Sequence, residues 1–165
     1  MGLILDVVTA PNLVGVVTDN VKKSKVVEAT NGIADFVDVV IRGIGNDKIS
    51  ALRIWGHGRT YEPDGNALFA ADVLSADTID QFTPILSRLR SCFLSPARAE
   101  LRGCAAAKGR GKEMMKKLAG IWNVDVYGSD KSQHLVTMWQ PPVMKASPNA
   151  PEVTTVTGIE VFEGR

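Results

Sequence analysis

Ala99-Glu100-Leu101-Arg102-Gly103-Cys104-Ala105-Ala106-Ala107 reads as a short strand that stops at a glycine and a cysteine. Small residues follow, then the glycine-rich loop Lys108-Gly109-Arg110-Gly111, then an amphipathic helix from Gly111 to Ala119. A strand that hands over to a loop and a helix in this way belongs to an α/β sheet, and open α/β sheets place ligands outside the carboxyl ends of their strands. Cys104 stands at such an end. The sequence offers it a partner in an equivalent place: Ile49 to Trp55 reads as a second strand, apolar enough to be covered on both faces, and Gly56-His57-Gly58 follows it directly.

Outward from these two strands the pattern alternates. Leu3 to Val8 and Leu13 to Val17 are apolar runs of strand length, separated by Ala10-Pro11-Asn12. Thr18 to Lys25 is expected to be an exposed connection, and Val26-Val27 a short strand. Asn31 is the predicted N-cap of a helix whose Ile33, Phe36, Val37, Val40, Ile41 and Ile44 recur at helical spacing up to Gly45-Asn46. Arg59 to Asn66 reads as a turn or hairpin, with Leu68 to Leu74 its return strand or an irregular segment. A second helix follows Thr78, with Ile79, Phe82, Ile85, Leu86, Leu89 and Phe93 on one face, Pro84 early in it and Ser95-Pro96 closing it.

After the cysteine segment, Asn123 to Tyr127 and Leu135 to Trp139 are predicted strands. Pro141 to Pro151 is a proline-rich, extended connector, and Thr154 to Phe162 is strand-like. The alternation predicts an α/β fold, a three-layer α/β/α sandwich around a mostly parallel sheet. The predicted organisation is one domain over residues 1–140, a connector over 141–152, and a terminal strand over 153–165 packed on the same domain or on a neighbour.

The totals narrow the function. The chain has 165 residues, enough for one domain with a real core, and a formal net charge of +1. That balance predicts no nucleic-acid partner and no membrane surface, and no apolar run reaches membrane-spanning length. Met1 to Asp6 lacks the basic and long apolar regions of a secretory signal, so a cytoplasmic location is expected, with export by a signal-independent route left open. Two cysteines and two histidines make neither a disulfide framework nor a C-x-x-C or H-x-x-x-H metal site, so no metal and no cofactor are expected.

Two strand-like blocks, one ending in His57-Gly58 and the other in Gly103-Cys104, about 50 residues apart, resemble the caspase-like (clan CD) cysteine peptidases. Residues 26–130 look closest to uncharacterised bacterial caspase-like domains found in large surface proteins. The residues that carry the likeness are Ile49 to Gly58, Leu74 to Leu89, Leu101 to Cys104, and Leu118-Ala119 with Val124-Asp125-Val126. Arg102-Gly103-Cys104-Ala105-Ala106 departs from the Gln-Ala-Cys-x-Gly of caspases, so caspase substrate preference does not carry over.

The resemblance implies a cysteine endopeptidase or related amide hydrolase acting on a polypeptide. Cys104 would be the nucleophile and His57 the general acid and base, with the backbone N–H groups of Gly58 and Cys104 forming the oxyanion hole. It also implies that Tyr127 and Asp130, after the next strand, bind substrate, with Asp130 favouring Arg or Lys; the plainer reading of Asp130 is a loop cap over Ser129-Asp130-Lys131. Arg102 and Lys108 are nearby cations in sequence. The alternative is a non-catalytic binding or assembly module of the same fold. Cys92, beside Leu89 and Phe93, reads as a buried core thiol. His134 reads as a surface or strand-edge residue, and Trp139 as an edge-strand core residue. Gly109-Arg110-Gly111-Lys112-Glu113 evokes anion binding at a helix start, but it lacks the G-x-x-x-x-G-K-[ST] of a nucleotide-hydrolysing loop.

Overall fold

The computed structural model describes residues 2–21, 23–132 and 141–156. In chain order the first elements are β1 (Leu3–Val8), α1 (Val14–Asn20), β2 (Lys25–Glu28), α2 (Ile33–Ile44) and β3 (Ile49–Trp55). Then come β4 (Ala67–Phe69), β5 (Asp72–Leu74), α3 (Ile79–Leu86) and β6 (Phe93–Leu101). The last are α4 (Gly111–Trp122), β7 (Asp125–Ser129), β8 (Val143–Ala146) and β9 (Thr154–Val156). Among the described residues one sheet takes seven strands in the order β2-β1-β3-β6-β7-β8-β9, while β4 and β5 form their own antiparallel hairpin. The first five strands of the sheet pair in parallel and the last two antiparallel. With helices on both faces this is the three-layer α/β fold expected from the alternation.

The alternation of side chains along each strand makes the two faces unlike. Leu5 and Val7 of β1, Leu52 and Ile54 of β3, Ala99 and Leu101 of β6, and Val126 of β7 point into one core. The apolar stripes of α2, α3 and α4 close it: Ile33, Phe36, Val37 and Val40, then Ile79 and Leu86, then Met114, Met115, Leu118 and Trp122. Full burial of each large aliphatic side chain stabilises by roughly 1.5–3 kcal/mol. Trp122 finds its hydrogen bond by donating Nε1–H to the Leu86 carbonyl at 2.9 Å.

The opposite face carries charge. Asp6, Arg53, Glu100 and Tyr127 stand side by side across β1, β3, β6 and β7, and all four are buried. Arg53 grips Asp6 with two bonds of 2.7 Å, Nε to Oδ1 and Nη2 to Oδ2, and Trp55 Nε1 donates to the same Oδ1 at 2.6 Å. Glu100 accepts from Arg98 Nε at 2.7 Å and from Arg102 Nε at 2.8 Å. Burial pushes the Arg102 guanidinium below its usual pKa, and the adjacent Glu100 carboxylate pulls it back. A one-residue slip of any strand would drive these charges into the apolar face, so the ladder fixes register.

Several expectations are corrected. Leu13 to Val17 is not a strand: Pro11–Leu13 is a 3-10 turn that runs into α1. Pro11, with its fixed φ, suits a first helical position, and Val14, Val17 and Val21 make one stripe against Val8 and Trp55. Asn31 is not the cap of α2. Gly32 (φ +96°) precedes the helix, and the Ile33 N–H donates to Asp72 Oδ2 of β5 at 2.9 Å, a cap supplied from 39 residues away.

The second predicted helix is shorter than its stripe. α3 ends at Leu86, a 3-10 turn over Ser87–Cys92 keeps Leu89 buried, and Phe93 already begins β6. Pro84 lies inside α3, two residues before its end. Ser95-Pro96 is therefore part of β6, at the register slip between Ile49 and Ala51 of β3. Leu68 to Leu74 is the β4–β5 hairpin. Within the proline-rich connector, Val143–Ala146 pairs with β7 as β8; the prolines flank this strand and none lies in it. Leu135 to Trp139, His134 and the end of the Thr154 to Phe162 segment lie outside the described residues.

Candidate active site

β1, β3 and β6 end on the same edge of the sheet. The chain leaves β1 for β2 on one side and then returns past β1 to β3, so the crossover direction reverses between β1 and β3. Such a reversal opens a crevice at the carboxyl ends of the two strands, where α/β sheets place ligands. His57 follows β3 at this crevice.

Cys104 follows β6, the strand beside β3. The register pairs Ile54 with Leu101, and continuing it past both strand ends sets His57 opposite Cys104. The backbone packing agrees. Arg102 N–H donates to the Ile54 carbonyl at 2.8 Å, and a Cβ on Gly58 would lie 2.4 Å from the Cys104 carbonyl oxygen. Any side chain at 58 would thus push the two segments apart. His57 is exposed and Cys104 half-buried.

Each side is held by its own bonds. The His57 carbonyl accepts from Leu68 N–H at 2.9 Å. The loop after it is stapled by the buried Asn66, whose Oδ1 accepts from Arg59 N–H at 2.8 Å. On the cysteine side, Ala105 adopts a left-handed conformation (φ +53°), which stores strain of order 1–3 kcal/mol in a residue with a Cβ. Its N–H donates to the Lys131 carbonyl, and Ala107 N–H to the Ser129 carbonyl, both at 2.9 Å. The small residues after Cys104 are explained by this packing: Ala105, Ala106 and Ala107 are buried, and a Cβ on Gly65 would come within 2.3 Å of the Ala106 carbonyl.

Asn12, which the sequence reading passed over as part of a break, is at the site. Its Oδ1 lies 3.0 Å from His57 Nε2. The signal that could have found it is its place just past β1, on the ligand-bearing edge. A cavity of about 10 Å³, lined by Thr9, Gly56, His57, Leu68, Gly103 and Ala106 among others, holds at most one water.

The other predicted residues are distributed as follows. Asp130 follows β7 beside the Cys104 turn, and among the described residues its buried Oδ1 has no hydrogen-bond partner. Tyr127 is two residues short of the strand end and sits in a cluster with Val143 and Val156, so the structure does not bring it to the pair. Arg102 is bonded to Glu100, and Lys108 Nζ donates to the carbonyls of Thr60 (3.3 Å) and Glu62 (3.1 Å). Asp64 Oδ1 accepts from Arg110 N–H at 2.9 Å just before α4, so the chain's own carboxylate occupies the place an anion would take. Cys92 is buried, and burial raises its thiol pKa against the opposing pull of Lys48 and Arg88. Among the described residues no cluster of three His, Cys, Asp or Glu side chains is disposed to hold a metal ion, and no helix is long and apolar enough to cross a membrane.

A family model described as a domain of unknown function (DUF4347) matches residues 5–134, and the chain belongs to that family. No curated protein matches it.

Proposed function

For this member of the DUF4347 family we propose a cysteine peptidase or related amide hydrolase of caspase-like type, with Cys104 as nucleophile and His57 as its acid and base. What supports it is that Cys104 and His57 each follow one of two adjacent parallel strands, with Gly58 packed against the Cys104 carbonyl. In the reaction the Cys104 thiolate adds to a substrate carbonyl carbon, and the carbonyl oxygen takes the negative charge. The N–H groups of Gly58 and Cys104 are the donors assigned to that oxyanion. His57 then gives the thiol proton to the leaving amine as the C–N bond breaks, which leaves a thioester on Cys104. Water attacks the thioester, losing a proton to His57, and the acid departs as the thiol is restored.

Asp130 is the residue assigned to selection. A carboxylate whose Oδ1 has no partner among the described residues, in the loop that bonds the turn after Cys104, suits the cationic end of an Arg or Lys side chain before the cleaved bond. A second reading is a binding or assembly module of this fold without turnover, and what favours it is that the small cavity beside His57 is lined by neither Cys104 nor Asp130. Cleavage of a proteome-derived peptide library, run in parallel with Cys104→Ala, separates the two. The peptidase reading expects cuts after basic residues that vanish in the variant; identical profiles from both proteins overturn it.

A further inference from the structure

We propose that Asn12 is the positioning residue of this site, and that it holds the proton of His57 on Nε2 so that Nδ1 is the nitrogen that receives the Cys104 proton. The inference rests on the reading of His57 as the base. Its observation is the 3.0 Å approach of Asn12 Oδ1 to His57 Nε2. An amide oxygen only accepts, so the ring nitrogen facing it must carry hydrogen, and the neutral imidazole then has its lone pair on the other nitrogen. Transfer of the thiol proton to Nδ1 gives a thiolate and an imidazolium. The Nε2–H bond to Asn12 persists through the transfer, so the ring need not turn between taking the proton and giving it to the leaving amine.

Asn12 is exposed, but the backbone that carries it packs on the fold. It lies in the 3-10 turn Pro11–Leu13, whose Leu13 packs with α1 against Val8 and Trp55. The backbone beneath is tied as well. Thr9 N–H donates to the Trp55 carbonyl at 2.8 Å, and Thr9 Oγ1 donates to the Leu68 carbonyl at 3.0 Å, the same residue whose N–H holds the His57 carbonyl. Asn12 and His57 are therefore carried on segments that follow β1 and β3, two strands bonded to each other. A neutral amide also suits the task. It orients the imidazolium without the full charge of a carboxylate, which would oppose return of the proton to the leaving group.

The test reads the tautomer directly. Nitrogen-15 spectra of the imidazole in a His134→Gln protein, which leaves His57 as the sole histidine, distinguish a protonated from an unprotonated ring nitrogen. The neutral ring is expected as the Nε2–H form. Asn12→Ala should give a mixture of tautomers and slower alkylation of Cys104, whereas Asn12→Asp keeps an accepting oxygen and should keep the Nε2–H form. An Nδ1–H ring in the parent, or a tautomer unchanged by Asn12→Ala, overturns the proposal. His57→Ala in the same alkylation assay isolates the premise. If it leaves the Cys104 rate unaltered, the reading of His57 as base fails, whatever tautomer Asn12 selects.

Discussion

The guanidinium of Arg102 lies 5.2 Å from the centre of the Trp55 ring, and each of these residues stands two positions before one member of the Cys104–His57 pair. The stack joins the residue just past β6 to the last residue of β3 on the charged face of the sheet. Trp55 is anchored in turn by its bond to Asp6, and Arg102 by its bonds to Glu100.

Trp55→Phe keeps an aromatic ring under Arg102 but removes the indole N–H from the Asp6 carboxylate. A hydrogen bond to a charged group is worth about 1.5–3 kcal/mol, and a loss of that size is expected in urea unfolding. Trp55→Leu also removes the ring, so it should lose more and should slow alkylation of Cys104, where Trp55→Phe leaves the rate nearly unchanged.

Glu100→Gln leaves two arginines facing a neutral amide in a buried setting. Breaking a buried ion pair from one side costs about 3–5 kcal/mol. Asp80→Ala, which breaks the exposed pair with Lys117 at 3.2 Å, should cost no more than about 1 kcal/mol. Denaturation midpoints of the two variants check the contrast.

Cys92 gives stability a pH dependence. Its thiol pKa is raised by burial, so the folded chain keeps the proton after the unfolded chain has lost it. The stabilisation is fully present below about pH 8.5, the ordinary thiol value, and falls as pH rises through the higher folded value. The slope is at most about 1.4 kcal/mol per pH unit. Unfolding free energies of the parent and Cys92→Ala between pH 7 and 10 should show the steeper fall in the parent.

Gly58→Ala puts a carbon 2.4 Å from the Cys104 carbonyl, and backbone on both sides has to give. Overpacking of this kind costs about 1–3 kcal/mol, and here it should also lower Cys104 reactivity. Gly120→Ala, inside α4 with nothing within 4 Å of the new carbon, should raise stability by about 1 kcal/mol and leave Cys104 alone. Thermal midpoints and alkylation rates of both variants decide it.

The elements legible in the sequence are those whose burial leaves a periodic mark: β1 and β3 as dense strands, the last residues of β6 from Arg98, and α2 and α4 as helical stripes. That His57 and Cys104 follow adjacent parallel strands was legible too, because the alternation of strands and helices sets successive strands side by side. What stayed hidden depends on partners far along the chain. Leu13 to Val17 carries mostly β-branched residues and reads as a strand until Val8 and Trp55 supply the surface that makes it helical. Asp72 caps α2 from another strand, which no local signal records. Arg98, Glu100 and Arg102 show the alternation of one strand face, whereas the pairing of Arg53 with Asp6, 47 residues apart, emerges only from the strand order. Asn12 has no motif around it, and only the sheet edge gives it meaning.

The joint action of His57 and Cys104 is most directly tested by timing iodoacetamide labelling of Cys104 in the parent and in His57→Ala near neutral pH, read by peptide mass with a simple thiol as reference. A working pair predicts that Cys104 in the parent labels roughly tenfold or more faster than the simple thiol, and that His57→Ala removes the advantage. Equal rates for parent, variant and simple thiol would contradict the account.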